Sequence, residues 1–195
     1  RSVLRLCKKR GEEVIDYSEL TLPKKEKTHP YFLDEDEVAK LIATANTKKR
    51  GYARINRARN ALIIRMLFET GLRVGELCAL DRNSIKNNAF SVVGKSKNVR
   101  VCFVTDSLMQ EIKAYLALRD DNNLAMFITN ETKKRVTPAN IQEMFRRVGK
   151  KSGMVGVHPH TMRHSFATYM MEKEVGIREI AELLGHESME TTKIY

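Results

Sequence analysis

The chain has 195 residues, a length that fits one domain of ordinary size with a short extension. With 42% hydrophobic and 30% charged residues it has the composition of a globular protein. No apolar run approaches the roughly 18 residues needed to cross a bilayer, and no membrane partner is expected. Lysine and arginine outnumber acidic residues by 35 to 24, giving a net charge of +11. Such an excess favours a polyanionic partner, most commonly nucleic acid.

The cysteines indicate the compartment. Cys7, Cys78 and Cys102 are scattered, odd in number and form no CxxC pair. This usage argues for a reducing, cytoplasmic location and against a disulfide scaffold or a zinc knuckle. The chain starts at Arg1 rather than at a methionine and shows no signal-peptide pattern, so we expect a processed protein or a piece of a longer one.

Taken in chain order, residues 1–20 are a possible end of an N-terminal helical core-binding domain. Residues 21–30 hold two prolines and four charges, which is typical of a linker. Asp34 and Glu37 then have the spacing of a helix capping box ahead of an apolar helical pattern. The polar and basic segment 46–59 is expected to be a loop.

The next segments combine helices with one hairpin. An apolar helix over 61–68 ends near Gly71, and a short helix covers 73–80. Apolar residues then alternate with polar ones, which predicts two strands at 91–93 and 99–103. Further helices are expected at 107–119, 138–150, 161–173, 177–184 and 189–195. The fold class is therefore mainly α (α+β), a helical domain with a small antiparallel β-sheet.

The short helix over 73–80 carries a candidate anion-binding pair. Arg73 lies beside Glu76 and on the same side as two leucines, so its guanidinium should be partly buried. Burial of a charge needs a compensating anion, which Glu76 supplies in part and a phosphate could complete. The alternative is an ordinary Arg–Glu pair on an amphipathic helix.

The helix over 161–173 carries a second candidate. Its apolar face contains Met162, Phe166, Tyr169 and Met170, and its expected solvent-facing side contains Thr161, Ser165, Thr168 and Glu172. His160 and Arg163 lie between these faces, three residues apart. Such a pair can hold two oxygens of one phosphate at a helix N-terminus, where anions are favoured.

Three histidines are candidate metal ligands. His158, His160 and His164 are close in sequence, but there is no HExxH pattern and no carboxylate or cysteine follows at ligand spacing. We therefore expect packed or hydrogen-bonded histidines and no metal site.

Two smaller features remain. Gly185 has the position of a helix C-cap, which places His186 at a defined turn, and Tyr195 follows nine residues later.

Lys95 and Lys97 lie near the hairpin tip, with Arg100 close behind. A basic tip is usually solvated, but it could also reach a DNA groove or present an ammonium to a leaving oxygen.

Together these segments resemble the catalytic domain of the tyrosine recombinase and integrase family over residues 31–195. The resemblance lies in four blocks: TGLRVGELCAL (70–80), VVGKSKNVRVCFV (92–104), HPHTMRHSFAT (158–168) and LLGHESMETTKIY (183–195). They occur in the family's order, with the family's interval from His186 to Tyr195. The resemblance implies the helical DNA breaking-rejoining fold.

The resemblance also implies how the phosphate is bound. Arg73, His160 and Arg163 would bind the scissile phosphate, and His186 would add a hydrogen bond or orient the nucleophile. Glu76 matches the carboxylate that steadies the first arginine.

The remaining roles concern bond exchange and DNA contact. Tyr195 would attack to form a 3′-phosphotyrosyl bond, and Lys95 would protonate the departing 5′-oxygen. Lys97 and Arg100 would contact DNA. No metal, ATP or other cofactor is implied.

The implied function is site-specific recombination of double-stranded DNA by a homo-tetramer, one dimer per site, associated with the nucleoid. Overall resemblance leans towards integrases of mobile elements rather than Xer-type resolvases. Two alternatives stay open: a topoisomerase-like enzyme that relaxes DNA with similar residues, and a non-catalytic DNA-binding module on the same fold.

Overall fold

The computed structural model describes residues 2–12, 31–48, 53–94 and 98–185, without the side chains of 2–5. The elements in these ranges are helices α1 (Ser2–Lys9), α2 (Glu35–Asn46), α3 (Arg54–Thr70) and α4 (Val74–Ala79), strands β1 (Ala89–Val93) and β2 (Val99–Phe103), and helices α5 (Asp106–Ala117), α6 (Pro138–Ser152), α7 (Pro159–Glu172) and α8 (Ile177–Leu184). The expected helical fold with one small antiparallel sheet is confirmed. In the described ranges, no helix combines the length and apolar character that crossing a bilayer requires.

Helix α3 lies at the centre of the fold. It packs against α2, α5 and α7, and α2 also packs against α6. Its middle is buried on several sides at once: Ile63, Ile64, Met66 and Leu67 are each at most 1% exposed. Because α3 is enclosed in this way, its C-terminal end provides a rigid base for the turn that leads into α4.

The start of α3 differs from the expectation of a loop over 46–59. The helix begins at Arg54, so its first two turns are built mostly from polar residues, although Ile55 and Ala58 pack against the core. Asn56 and Asn60 are nevertheless buried, and Arg59 Nη1 donates to the Ile128 carbonyl at 2.7 Å. These tertiary contacts, with the packing of Ile55 and Ala58, stabilise a helical segment that is rich in polar residues.

The hairpin also begins earlier than expected. Strand β1 starts at Ala89, two residues before the predicted position, and pairs antiparallel with β2. Asn87 and Asn88 adopt positive φ angles of 51° and 59°, which makes a tight turn just ahead of the strand. Asparagine tolerates this left-handed conformation better than other non-glycine residues.

The predicted helix caps are confirmed. The Asp34 carboxylate accepts from Glu37 N at 2.8 Å while Glu37 accepts from Asp34 N at 3.2 Å, which completes a capping box at α2. Thr137 caps α6 ahead of Pro138. Gly185 ends α8 with a φ of 63°, in the left-handed conformation expected of a C-cap.

Some expected elements lie outside the described residues. The linker 21–30 and the helix over 189–195 belong to this group, as does 13–20 of the N-terminal extension. Helix α1 lies within the segment 1–20 that was expected to be helical.

Gly71 forms the turn between α3 and α4, and its lack of a side chain permits close packing there. Its φ is 60°, and a methyl group at this position would lie 2.7 Å from Phe166 Cδ1 and 2.8 Å from Leu184 Cδ2. Both distances are well inside van der Waals contact, and both neighbours are buried. Only glycine lets α7 and α8 approach the end of α3 this closely.

We therefore expect Gly71→Ala to lower the free energy of unfolding by about 2–4 kcal/mol, through backbone strain and overpacking together. Gly153→Ala is the matched control, because Gly153 also ends a helix with positive φ but a methyl group there meets nothing within 4 Å. The control should lose only the backbone contribution, about 1 kcal/mol. Urea unfolding of both variants measures the difference, and equal losses would show that the contacts with Phe166 and Leu184 adapt without cost.

Candidate functional site

A cleft of about 900 Å³ opens where the start of α4, the end of β1 and the start of α7 meet beside α6. Its lining residues are Arg73, Val74, Gly75, Glu76, Ala79, Val93, Gly94, Gln142, His158, Pro159 and His160. Three of the predicted site residues, Arg73, Glu76 and His160, are thus brought to one cavity from segments more than 80 positions apart in sequence.

Arg73 is held at the cleft by two other residues. It occupies the N-cap position of α4 in an extended conformation, rather than the first helical turn that was expected. Its backbone N–H donates to Glu76 Oε2 at 2.8 Å, and its Nη1 donates to Glu76 Oε1 at 3.0 Å. Its Nη2 donates to the Gly185 carbonyl at 3.3 Å. The side chain remains 28% exposed, so part of the guanidinium faces the cleft.

Glu76 binds a second arginine, which changes the interpretation of Arg100. Arg100 Nη1 and Nη2 donate to the two carboxylate oxygens of Glu76 at 2.9 Å and 2.6 Å, and both side chains are only 9% exposed. Arg100 was expected close behind the basic hairpin tip, as a residue that contacts DNA. Instead, its guanidinium is enclosed in the protein and occupied by a bidentate ion pair.

The same arrangement determines the charge of Glu76. Burial by itself would raise the pKa of this carboxyl group, but the hydrogen bonds from Arg100 and from Arg73 N outweigh burial and hold the pKa below its usual value. Glu76 is therefore ionised, and it offsets part of the positive charge that the two guanidinium groups bring to the cleft.

Helix α7 points its N-terminus into the cleft. It begins at Pro159, two residues before the expected start, and His158 is its N-cap. His158 Nδ1 accepts from Thr161 N at 3.2 Å, while Thr161 Oγ1 accepts from His158 N at 3.3 Å. The helix start places His160 at the cleft, where the positive end of the helix dipole favours an anion.

The expected solvent-facing side of α7 was wrong in part. Thr161 and Ser165 are at most 1% exposed, because this side of the helix packs inwards. Ser165 Oγ accepts from Leu33 N at 2.8 Å and donates to the Thr161 carbonyl at 2.9 Å. The hydroxyls therefore satisfy backbone groups in the interior, which is why hydrophilic residues are tolerated there.

Arg163 lies behind the cleft rather than in its lining. It is 2% exposed, and its Nη1 and Nη2 donate to the carbonyls of Gly71 and Leu184 at 2.7 Å and 2.6 Å. Arg73 binds the next carbonyl along, that of Gly185, so the two guanidinium groups meet at the end of α8. The end of α8 is thus held by two arginines.

His164 is a neutral packing residue at ordinary pH. Burial, together with the nearby charges of His160, His158 and Arg163, lowers its pKa to about 4. Its ring centroid lies 5.8 Å from that of His160. In the described part of the chain, no group of three or more His, Cys, Asp or Glu side chains is placed to hold a metal ion.

Lys95, Lys97, His186 and Tyr195 lie outside the described residues. The residues that precede two of them, Gly94 and Gly185, are described, and both lie close to Arg73. A methyl group at Gly94 would lie 3.8 Å from Arg73 Nη1, and the Gly185 carbonyl accepts from Arg73 Nη2. The chain therefore enters the segments that contain Lys95 and His186 from positions beside Arg73.

Sequence reasoning missed some residues of the cleft. His158 was expected to be packed or hydrogen-bonded rather than to bind a metal, but its specific position as the cap of α7 and in the lining of the cavity was not predicted. Its spacing of three from Thr161, with Pro159 between them, was the available signal for a cap. Gln142 and Val93 also line the cleft, and no sequence pattern marked them.

The sequence of this chain is similar to those of known recombinases. The sequence model of the phage integrase family matches residues 31–195. The chain is 38% identical over 178 residues to tyrosine recombinase XerA of Pyrococcus horikoshii, covering 89% of this chain and 59% of that protein. It is 34% identical over 184 residues to tyrosine recombinase XerC of Shewanella sp. strain ANA-3, covering 90% of this chain and 58% of that protein. The chain thus spans about three fifths of the length of these relatives.

Solved structures agree with the fold. The crystal structure of XerA recombinase superposes with a TM-score of 0.73 at 31% identity, covering 100% of this chain and 67% of that one. The XerH site-specific recombinase bound to its difH substrate gives a TM-score of 0.70 at 26% identity, covering 95% of this chain and 54% of that one. A lambda integrase dimer bound to a core site gives 0.74 at 18% identity, over 97% and 70%, which supports the fold alone.

Proposed function

Because the chain belongs to the phage integrase family, we propose that its cleft binds one phosphate of double-stranded DNA and that the protein cuts and rejoins DNA by site-specific recombination. The observation that carries this proposal is the set of cationic and N–H donors around Arg73. Arg73, His160 and the N-terminus of α7 face one cavity; Gly94, before Lys95, lines the same cavity, and Gly185, before His186, accepts a hydrogen bond from Arg73. Such a constellation suits a dianionic phosphoryl transition state.

In the proposed mechanism the phosphate is held before it reacts. Arg73 and His160 donate to the non-bridging oxygens, and Arg163 contributes positive charge from behind the cleft. His186 adds a further hydrogen bond or orients the nucleophile. Donors that are already in place stabilise charge as it gathers in the transition state, and this lowers the barrier more than ground-state binding would.

The bond exchange is assigned to two residues. The Tyr195 oxygen attacks phosphorus as its proton passes to solvent water, and the bond from phosphorus to the 5′-oxygen breaks. The departing oxygen takes a proton from Lys95, which leaves a 3′-phosphotyrosyl link. This link keeps the phosphodiester's energy for rejoining, so rejoining requires no ATP. The cationic donors take the place of the metal ions that many phosphoryl-transfer enzymes use.

The proposed partner is a pair of duplex DNA sites, each bound by a dimer, in a homo-tetramer on the nucleoid in the cytoplasm. The net charge of +11 supports binding to many phosphates, and Lys97 is proposed as one of the contacts. The proposed division of the chain is an end of a core-binding domain at 1–20, a linker at 21–30 and the catalytic domain at 31–195.

Covalent capture tests the proposal. The protein is mixed with nicked duplexes of randomised sequence, so that a short cleavage product diffuses away and the covalent intermediate is trapped. We expect a protein–DNA adduct on a denaturing gel that persists with chelator and is lost in Tyr195→Phe. Retained DNA binding without an adduct would favour a non-catalytic DNA-binding module.

The captured DNA also distinguishes between the remaining candidate functions. Stable pairing of two captured sites would support a recombinase, whereas relaxation of supercoiled DNA by a monomer would support a topoisomerase-like enzyme. Sites that map to the ends of a mobile element would indicate an integrase, and a single chromosomal site would indicate a resolvase.

A further inference from the structure

The strongest feature that the proposed function leaves unused is Arg100. Its side chain is 9% exposed and binds both carboxylate oxygens of Glu76. A planar guanidinium in this bidentate geometry fixes the orientation of a carboxylate more firmly than a single hydrogen bond does. Arg100 therefore determines where the oxygens of Glu76 point.

The orientation of Glu76 in turn affects Arg73. Oε1 of Glu76 accepts from Arg73 Nη1, and Oε2 accepts from Arg73 N. With the two bonds from Arg100, the carboxylate accepts four hydrogen bonds, which fills the positions that its oxygens offer. A carboxylate held in this way has no freedom to turn, and the guanidinium of Arg73 is fixed with it.

Arg100 also contacts the second residue that holds Arg73. A methyl group at Gly185 would lie 3.2 Å from Arg100 Cδ and 3.3 Å from its Nη1, so the arginine packs closely against this turn. The Gly185 carbonyl is the other acceptor of Arg73. Glu76 and Gly185, which both accept from the Arg73 side chain, therefore also lie against Arg100.

A DNA contact for Arg100 fits these observations poorly. The guanidinium is enclosed and already paired. If it broke this bidentate ion pair to reach a phosphate, the buried Glu76 carboxylate would be left without its main partner. The cost of leaving one member of a buried pair alone usually exceeds the gain from one surface phosphate contact.

We propose that Arg100 is a positioning residue that holds Arg73 in the orientation needed for phosphate binding, acting through Glu76 and the Gly185 turn, and that it makes no contact with DNA. This role rests on the proposed function, because it matters only if Arg73 binds the reacting phosphate.

Single-turnover cleavage of the captured duplex tests the role, with Arg100→Met and Arg100→Lys compared with the unaltered protein. We expect Arg100→Met to lower the cleavage rate at saturating protein by about ten- to a hundredfold, since a small misplacement of a binding group costs that much. The protein concentration for half-saturation should stay the same. Arg100→Lys should lie between, because one ammonium cannot hold both oxygens.

Arg65→Met is the matched control. Arg65 also bridges two carboxylates, Glu69 and Glu111, but none of these residues lines the cleft. This variant should lose stability in urea unfolding and keep its cleavage rate. A rate loss as large as that of Arg100→Met would assign the effect to general loosening of the fold and overturn the positioning role.

A double mutant separates action through Arg73 from independent action. In an Arg73→Ala background, Arg100→Met should lower residual cleavage by less than about twofold, because no guanidinium is left to position. A full additional loss would overturn the proposal, as would weaker DNA binding with an unchanged saturating rate. If the unaltered protein forms no adduct, the proposed function fails and the positioning role fails with it, whereas adduct formation with any of the other contrary results overturns the positioning role alone.

Discussion

Replacing Arg73 with alanine is expected to slow DNA cleavage by roughly a hundred- to a thousandfold, the usual effect of removing one preorganised transition-state donor. DNA affinity should change little, because binding is spread over many phosphates while Arg73 serves one. Stability should also change little, because the side chain is 28% exposed and Glu76 keeps its pair with Arg100. Adduct formation, a binding titration and urea unfolding measure the three quantities separately.

Arg82→Ala is the control for this prediction. Arg82 is 30% exposed and pairs with Asp121, so it resembles Arg73 in burial and charge, but it lies outside the cleft. The control should cleave at the unaltered rate. Cleavage by Arg73→Ala at the unaltered rate would show that the role assigned to this residue is wrong.

Arg163→Ala should behave differently from Arg73→Ala. Arg163 is 2% exposed and holds the carbonyls of Gly71 and Leu184, so its loss leaves two buried acceptors without this donor. We expect cleavage and stability to fall together in this variant. The comparison distinguishes a residue that faces the reacting group from one that also holds the fold.

Glu76→Ala is expected to lower the free energy of unfolding by about 3–5 kcal/mol, the usual cost of removing one partner from a buried ion pair. Its loss leaves Arg100 enclosed without a counter-charge, since this side chain is only 9% exposed. Urea unfolding at neutral pH measures the effect. Glu111→Gln is the control, because Glu111 is 48% exposed in its pair with Arg65 and should change stability by less than about 1 kcal/mol.

The effect of Glu76 should depend on pH in a defined direction. Its pKa in the folded protein lies below the usual value of 4.5, so the ionised form is favoured by folding. The stabilisation is therefore complete above that usual value and is lost as the pH falls through the folded pKa. The difference in stability between the unaltered protein and Glu76→Gln should shrink in this acidic range. A difference that grows with acidity would contradict the ion-pair arrangement.

Much of the fold could be predicted because its helices carry regular local signals. The caps at Asp34, Thr137 and Gly185 were recognisable from spacing alone, and each is present. The start of α3 could not be predicted, since Asn56 and Asn60 are buried by contacts with distant segments. The burial of these two polar side chains cannot be read from the neighbouring sequence, in which the many polar residues indicated a loop.

The candidate site, like the fold, could be predicted from the sequence only in part. The proximity of Arg73 and Glu76 followed from a spacing of three residues. The burial of Thr161 and Ser165 did not follow from any pattern, because it depends on the segment around Leu33. The position of Arg100 was missed for a related reason: a basic residue near a hairpin tip looks solvated until the partner carboxylate, 24 positions away, is placed.

The contacts that hold the site together have a consequence for how the protein folds. Arg73 and Gly185 are 112 positions apart, Arg163 and Gly71 are 92 apart, and Leu33 and Ser165 are 132 apart. Each contact closes a long loop, and the entropy of closure must be overcome before the contact contributes anything. The helices can form early from local interactions, but the cleft can form only when both halves of the chain have docked. Competence for DNA cleavage should therefore be among the last properties the chain acquires as it folds, well after its helical content is complete.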